Sequence, residues 1–138
     1  YHKEILSQIN THSLQNSVFL LNTITKSELQ YLYKRCHSFI FPSPYENFAY
    51  TLVEAMSCGA PIICSNTTAM PETCQEAAIY FDPKNTEEMA EKIELLFKDE
   101  DLRKSLSQKS LERVEELPDY KEVTLKTLDI MKNVVAED

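Results

Sequence analysis

Two carboxylates, Glu46 and Glu54, stand with seven residues between them. The interval Asn47-Phe48-Ala49-Tyr50-Thr51 leads into a run of helix formers. The first turn of a helix has N–H groups without intrahelical partners and carries a partial positive charge, so it suits a phosphate. A carboxylate beside such a site accepts hydrogen bonds from sugar hydroxyls. With a helix start near Ala49 or Tyr50, Glu54 falls about one turn in. The chemistry implied is recognition of a sugar phosphate or a nucleotide sugar.

The elements that must hold these groups lie between Ser38 and Ser65. Ser38 to Phe41 is a short apolar run stopped by Pro42, as expected of a buried strand. Pro42-Ser43-Pro44 opens a loop. Tyr50 to Cys58 reads as a helix, with Leu52, Val53 and Met56 at helical spacing. Gly59, the only glycine of the chain, follows at once and reads as the helix stop. Pro61-Ile62-Ile63-Cys64 is a second buried strand. The unit is therefore strand, loop, helix, strand, with both glutamates at the C-terminal end of the first strand.

Phe41-Pro42-Ser43, Tyr45-Glu46-Asn47-Phe48 and Val53-Glu54-Ala55-Met56-Ser57-Cys58-Gly59-Ala60-Pro61 together resemble the donor-site signature of family-4 retaining glycosyltransferases, two-domain enzymes of the GT-B type. The resemblance covers residues 17–98, and the terminal helices are compatible with it. It implies that Glu46 lies on the sugar side, as the catalytic-site residue. It implies that Glu54 binds the ribose hydroxyls, and that Asn47, Phe48, Ala49, Tyr50 and Thr51 form a cradle of backbone amides for the sugar and diphosphate. Ile24 and its neighbours would contact the nucleobase. The family usually has Glu-Gly-Phe-Gly where this chain has Glu46-Asn47-Phe48-Ala49. Asn tolerates positive φ and keeps the turn, while Ala49 adds a methyl where backbone should approach the ligand.

Elsewhere, Tyr1 to Ile9 is an expected helix and Ser17 to Asn22 an expected apolar strand. Thr25-Lys26-Ser27-Glu28 is a capping box ahead of a helix over Glu28 to Cys36, with Leu29, Leu32 and Tyr33 inward. Pro71-Glu72 opens a short helix, with Glu72 as dipole and cap stabilisation. Ala78 to Phe81 is a strand, Asp82 to Asn85 a turn, and residues 86–98 an amphipathic helix carrying Met89, Ile93, Leu96 and Phe97. Leu102 to Leu117 and Tyr120 to Val135 are further helices. The first carries a stripe of Leu102, Leu106, Leu111 and Val114; the second carries Val123, Leu128, Met131 and Val135. Strands alternating with helices predict an α/β fold, a Rossmann-like parallel sheet with helices on both faces. Ligands bind such sheets at the C-terminal strand ends.

The net charge of −8 belongs to one part of the chain. Residues 1–60 hold 4 basic and 4 acidic residues, and residues 61–138 hold 10 basic and 18 acidic. This balance excludes nucleic acid as a partner. Asp99-Glu100-Asp101 contains an Asp-x-Asp, but its place between two helices reads as a charged N-cap. His2, His12 and His37 form no ligand spacing, with one another or with a cysteine. Cys36, Cys58, Cys64 and Cys74 form no CxxC pair and are expected as structural thiols. One glycine cannot supply a Gly-x-Gly-x-x-Gly dinucleotide loop.

The whole chain, 1–138, is expected to be a single partial GT-B C-terminal domain. The resemblance implies two missing upstream βα units with a basic pair, and an absent N-terminal acceptor domain. Through that domain it also implies peripheral membrane association. It implies a nucleoside-diphosphate sugar donor, no cofactor, no metal, a cytoplasmic location and a role in polysaccharide or glycolipid biosynthesis. The alternative is a non-catalytic relic or interaction module that keeps the fold.

Overall fold

The structure, a computed structural model, describes residues 2–136, and the side chains of Tyr120, Val135 and Ala136 are outside that description. Helix α1 spans His2–Thr11 and α2 spans Lys26–Arg35. Strand β1 (Phe39–Phe41), α3 (Tyr50–Ser57) and β2 (Ile62–Ser65) follow as expected. Next come α4 (Met70–Cys74), a 3₁₀ turn over Gln75–Ala77, β3 (Ala78–Phe81), α5 (Thr86–Lys98), α6 (Glu100–Glu116) and α7 (Tyr120–Ala136).

The three strands form one parallel sheet in the order β1-β2-β3, with Phe41 level with Cys64 and Ser65 level with Phe81. Side chains alternate between two cores, as a period of two requires. Ile62 and Cys64, with Phe39, Phe41, Ala78 and Tyr80, pack against Leu29 and Tyr33 of α2, Leu52 and Met56 of α3, and Met70 of α4. Ile63 and Phe81, with Ile40 and Ile79, pack against Leu96 of α5 and Leu106 of α6. Helices therefore cover both faces. All four residues of β2 are buried, which accounts for a continuous apolar run in place of alternation. Each buried Ile here contributes about 1.5–3 kcal/mol through apolar area removed from water.

Helix ends are set by local chemistry. At α2 the Thr25 hydroxyl accepts from Glu28 N–H at 3.3 Å, and the Glu28 carboxylate accepts from Thr25 N–H at 2.7 Å. The Thr25 N–H, then the Thr25 hydroxyl at 2.7 Å, both donating to the carboxylate, hold the Glu28 carboxyl below its ordinary value. At the end of α3, Gly59 has φ +71°, Gly59 N–H donates to Met56 O (2.9 Å) and Ala60 N–H to Ala55 O (3.1 Å). This is the Schellman pattern, and it reverses the chain into β2. Ser107 of α6 donates to Gly59 O at 2.7 Å and Ser110 to Ala60 O at 3.0 Å. Those carbonyls precede β2, so α6 closes the N-terminal end of the sheet. The C-terminal end is left to loops.

Several expectations need correction. Residues 17–22 form no strand. Ser17 and Val18 donate their N–H groups to Leu14 O in a turn, and Phe19 and Leu21 are 75% and 60% exposed. An apolar run becomes a strand only when a neighbouring strand takes its N–H and C=O groups, and β1 is not paired on that side. Helix α2 begins two residues earlier than expected, because the N-cap is Thr25 itself. Leu32 and Leu111 point outward. Val123, Leu128 and Met131 of α7 are exposed, and the side chain of Val135, like Tyr1, lies outside the described residues. Phe97 is exposed and rests against His37, with ring centroids 5.9 Å apart. Cys64 and Cys74 are buried, whereas Cys36 and Cys58 are half-buried; all four are free thiols.

Gly59→Ala is expected to destabilise the domain by about 1–2 kcal/mol through its left-handed φ. A Cβ there would also sit 3.2 Å from Ser107 Oγ. Urea denaturation of the pair measures it, and an unchanged midpoint would contradict the helix-stop role. A second expectation concerns alkali. Burial, then the Glu54 charge, raises the Tyr33 phenol above 10.0, and burial raises Tyr80. The hydrogen bond with Cys74, then burial, raises the Cys64 thiol above 9.0, and burial raises Cys36. Each folded value exceeds the unfolded one, so the stability these groups supply is complete below the unfolded values and is lost as pH rises through them. Cys74 is shifted the other way by its bond with Cys64 and offsets part of this loss. The urea midpoint, under reducing conditions, should fall between about pH 8 and about pH 10.5.

Candidate functional site

A parallel connection from β1 to β2 must cross back over the sheet, and α3 does so. Its start therefore opens at the C-terminal end of β1. The helix has no side-chain cap: its N-cap is Ala49, and no acidic residue occupies its first turn. By contrast Thr25, Asn85, Asp99 and Asp119 cap α2, α5, α6 and α7. The five-residue α4 also has no side-chain cap. Tyr50 N–H turns back to Phe48 O at 3.0 Å. The N–H groups of Asn47, Phe48, Ala49 and Thr51 find no acceptor among the described residues. They are donors without partners at a positive helix end, on exposed Asn47 and Phe48, half-buried Thr51 and buried Ala49.

The glutamates flank this mouth in the chain. Glu46 is half-buried in the loop before α3. Its carboxylate makes no hydrogen bond or ion pair with a described residue, while its N–H donates to Thr68 Oγ1 at 3.1 Å. Glu54 is exposed on α3, in the second turn. It lines a cleft of about 150 Å³ between α2 and α3, with Lys26, Leu29, Tyr33 and Cys58. Its negative charge contributes to the raised Tyr33 phenol, after burial.

The remaining expected residues are placed less uniformly. Asn47 and Tyr50 are exposed, Thr51 is half-buried, and Phe48 and Tyr50 meet edge to face with centroids 4.6 Å apart. Asn47 is not among the residues with positive φ, so the turn does not depend on that conformation. Ala49 has φ −84° and is 1% exposed. Its methyl belongs to the core cluster with Tyr33 and Leu52, and its N–H has no acceptor among the described residues. Ile24 is half-buried beside a separate groove with Leu21, Tyr31 and Leu32, which shares no residue with the Glu54 cleft. The segment before it is not a strand, so its place at a strand's C-terminal end does not hold.

Tyr45 and Tyr50 are 67% and 72% exposed, so neither is a core residue. The attachment of the Glu46 loop escaped the sequence reading. Thr67 and Thr68, in the loop after β2, hold the loop that carries Glu46: Thr67 Oγ1 donates to Pro44 O at 3.1 Å. A Thr-Thr pair in a polar loop gives no sequence signal for a partner 22 or 23 residues away. Ser65, at the root of that loop, is fully buried and its hydroxyl has no partner among the described residues. Asp99 is a helix cap, accepting from Leu102 N–H at 2.8 Å, and Glu100 pairs with Lys104 at 2.8 Å, so the first residue of the Asp-x-Asp is the expected charged N-cap. Glu72 stands in the first turn of α4. Among the described residues no helix is long and apolar enough to cross a membrane.

Comparison with known proteins agrees with this architecture. The chain is 30% identical over 112 residues to the O-antigen chain mannosyltransferase B of Escherichia coli, covering 81% of this chain and 29% of that protein. It is 33% identical over 84 residues to the N,N'-diacetylbacillosaminyl-diphospho-undecaprenol alpha-1,3-N-acetylgalactosaminyltransferase of Campylobacter jejuni, covering 59% of this chain and 22% of that one. The chain thus spans less than a third of the length of these relatives. Among solved structures, the sucrose-phosphate synthase of Thermosynechococcus elongatus superposes with a TM-score of 0.86 at 23% identity, over 99% of this chain and 35% of that one. Anabaena Alr3699/HepE in complex with UDP gives 0.83 at 20% identity, over 96% and 37%. At such identities the likeness shows the fold, that of a partial C-terminal domain of GT-B glycosyltransferases. Residues 1–113 match the family described as glycosyl transferases group 1, and the chain belongs to that family.

Proposed function

We propose that this chain is the donor-binding region of a retaining hexosyltransferase of family 4, holding a nucleoside-diphosphate sugar at the mouth of α3. The observation that carries the reading is the uncapped start of α3, with unpartnered amides at Asn47, Phe48, Ala49 and Thr51 and a carboxylate on either side in sequence. The amides face the diphosphate. Glu54, beside the α2–α3 cleft, accepts from the ribose hydroxyls, and Glu46 accepts from the hydroxyls of the sugar. Ile24 is the nucleobase-side candidate by the resemblance alone, since it stands at a groove separate from the Glu54 cleft. The exposed Phe48–Tyr50 pair offers an apolar platform beside the diphosphate.

Transfer breaks the bond between the anomeric carbon and the diphosphate oxygen, and the electron pair leaves on that oxygen. Preorganised amides stabilise the charge as it develops, the kind of contribution that costs about 3–4 kcal/mol when one such donor is removed elsewhere. Glu46 positions the sugar and does not serve as an acid. The acceptor hydroxyl, bound by the remainder of a protein of the relatives' length, forms the new bond on the same face of the sugar, and its proton passes to the departing diphosphate oxygen. No metal or cofactor is assigned a role. The relatives carry transferase names, which speaks against the alternative of a non-catalytic relic. The names of the same relatives support a role in polysaccharide or glycolipid assembly.

Isothermal titration with UDP-, GDP- and ADP-sugars tests the reading. At least one donor should bind with a Kd of about 1 mM or tighter, and Glu54→Ala should remove that binding without changing the urea midpoint. Failure of every donor to bind would overturn it.

A further inference from the structure

Two loops meet at the C-terminal end of the sheet, and side chains that the donor-binding reading leaves unused make the contact. Because Phe41 is level with Cys64, residues 42–49 leave the sheet beside residues 66–69. Thr67 Oγ1 donates to Pro44 O, and Glu46 N–H donates to Thr68 Oγ1, both at 3.1 Å. The Thr68 hydroxyl directs its own proton to Sδ of the fully buried Met70, at 3.8 Å. That leaves a lone pair for Glu46 and fixes its direction from the core.

Thr68 holds a left-handed backbone, with φ +50°. A β-branched residue is sterically disfavoured there, and such strain persists where the surroundings over-determine it, often at functional sites. Within the Glu46 loop, Ser43 Oγ donates to Tyr45 O (3.1 Å) and Tyr45 Oη to Asn47 Oδ1 (3.0 Å). These bonds stiffen the loop but do not attach it to the sheet. The carboxylate of Glu46 has no partner among the described residues, so the backbone alone places it.

We propose that Thr68, assisted by Thr67, is a positioning residue for Glu46: its hydroxyl bond to the Glu46 amide fixes where that carboxylate meets the transferred sugar. The proposal rests on the donor-binding reading for its functional half. Its consequence is specific to one part of the ligand. Affinity contributed by the sugar depends on Thr68, while affinity contributed by the nucleoside diphosphate, held by Glu54 and the helix amides, does not.

The test compares the protein with Thr68→Val, which keeps the shape and removes the hydroxyl, and with Thr68→Ser, which restores it. In nitrogen-15 relaxation, the Glu46 amide order parameter should fall from about 0.85 to below about 0.6 in Thr68→Val and recover in Thr68→Ser. In calorimetry with UDP against UDP-glucose and GDP against GDP-mannose, Thr68→Val should weaken the nucleotide sugar about fivefold. The free nucleotide should bind as before, and Thr68→Ser should regain the difference. If Thr68→Val does not fold, Thr68→Gly takes its place, since glycine accepts the positive φ and also lacks the hydroxyl. An unchanged Glu46 order parameter overturns the proposal, as does an equal loss for nucleotide and nucleotide sugar. Absence of any binding in the parent protein sinks the donor reading instead, and the order parameter still decides whether Thr68 holds Glu46.

Discussion

The structure depends on the direction in which α3 must run. Parallel strands cannot be joined by a hairpin, so the chain leaves β1 at one end of the sheet and enters β2 at the other. A helix making that return presents its N terminus, and about half a positive elementary charge, at the C-terminal edge of β1. Its far end is sealed: Gly59 reverses the chain, and Ser107 and Ser110 of α6 bind the Gly59 and Ala60 carbonyls. Its near end is left open. Side-chain caps are worth about 1 kcal/mol each, and the sequence places one at Thr25, Asn85, Asp99 and Asp119 but not at position 49. The contrast between the two ends of one helix makes the C-terminal edge of the sheet a place for an anion.

Charge distribution is consistent with that division. The acidic excess belongs to residues 61–138 and much of it is spent on helix geometry. Asp99 caps α6; Glu94 with Lys98, Glu100 with Lys104, and Glu122 with Lys126 are pairs one helical turn apart. Such exposed pairs add about 0.3–0.5 kcal/mol apiece and are screened by salt. Glu46 and Glu54 differ from them, because neither carboxylate has a cationic partner among the described residues. A carboxylate left without a partner beside a helix N terminus remains available as an acceptor.

Most of the fold was legible because its signals are local. The Thr25 capping box, the Asn85 cap, the glycine after α3 and the buried runs at Phe39 and Ile62 each act within a few residues, and the backbone followed them. What was not legible depended on partners far away in sequence. The run at 17–22 has strand composition but no strand to pair with, so composition misled. Leu32 and Leu111 have the right spacing for inward positions, yet the surfaces opposite them are not filled. The attachment of the Glu46 loop through Thr67 and Thr68 follows from strand register, which the sequence does not state. Of the candidate site, the helix mouth and the two glutamates could be read; the orientation of each side chain around them could not.

Ala49 shows how the two kinds of information combine. By comparison with the glycine that its family usually carries there, its methyl ought to obstruct close approach of a ligand to the backbone. That inference assumes that Cβ points outward. At φ −84° the residue is buried, its methyl in the core cluster with Tyr33 and Leu52, and its amide has no acceptor among the described residues. Position 49 therefore serves two purposes with one residue: a small apolar group seats the start of α3 on the core, and the absent side-chain oxygen leaves the amide uncapped. Serine or aspartate here would add about 1 kcal/mol to the helix, and in doing so would fill the position that the helix leaves to an anion.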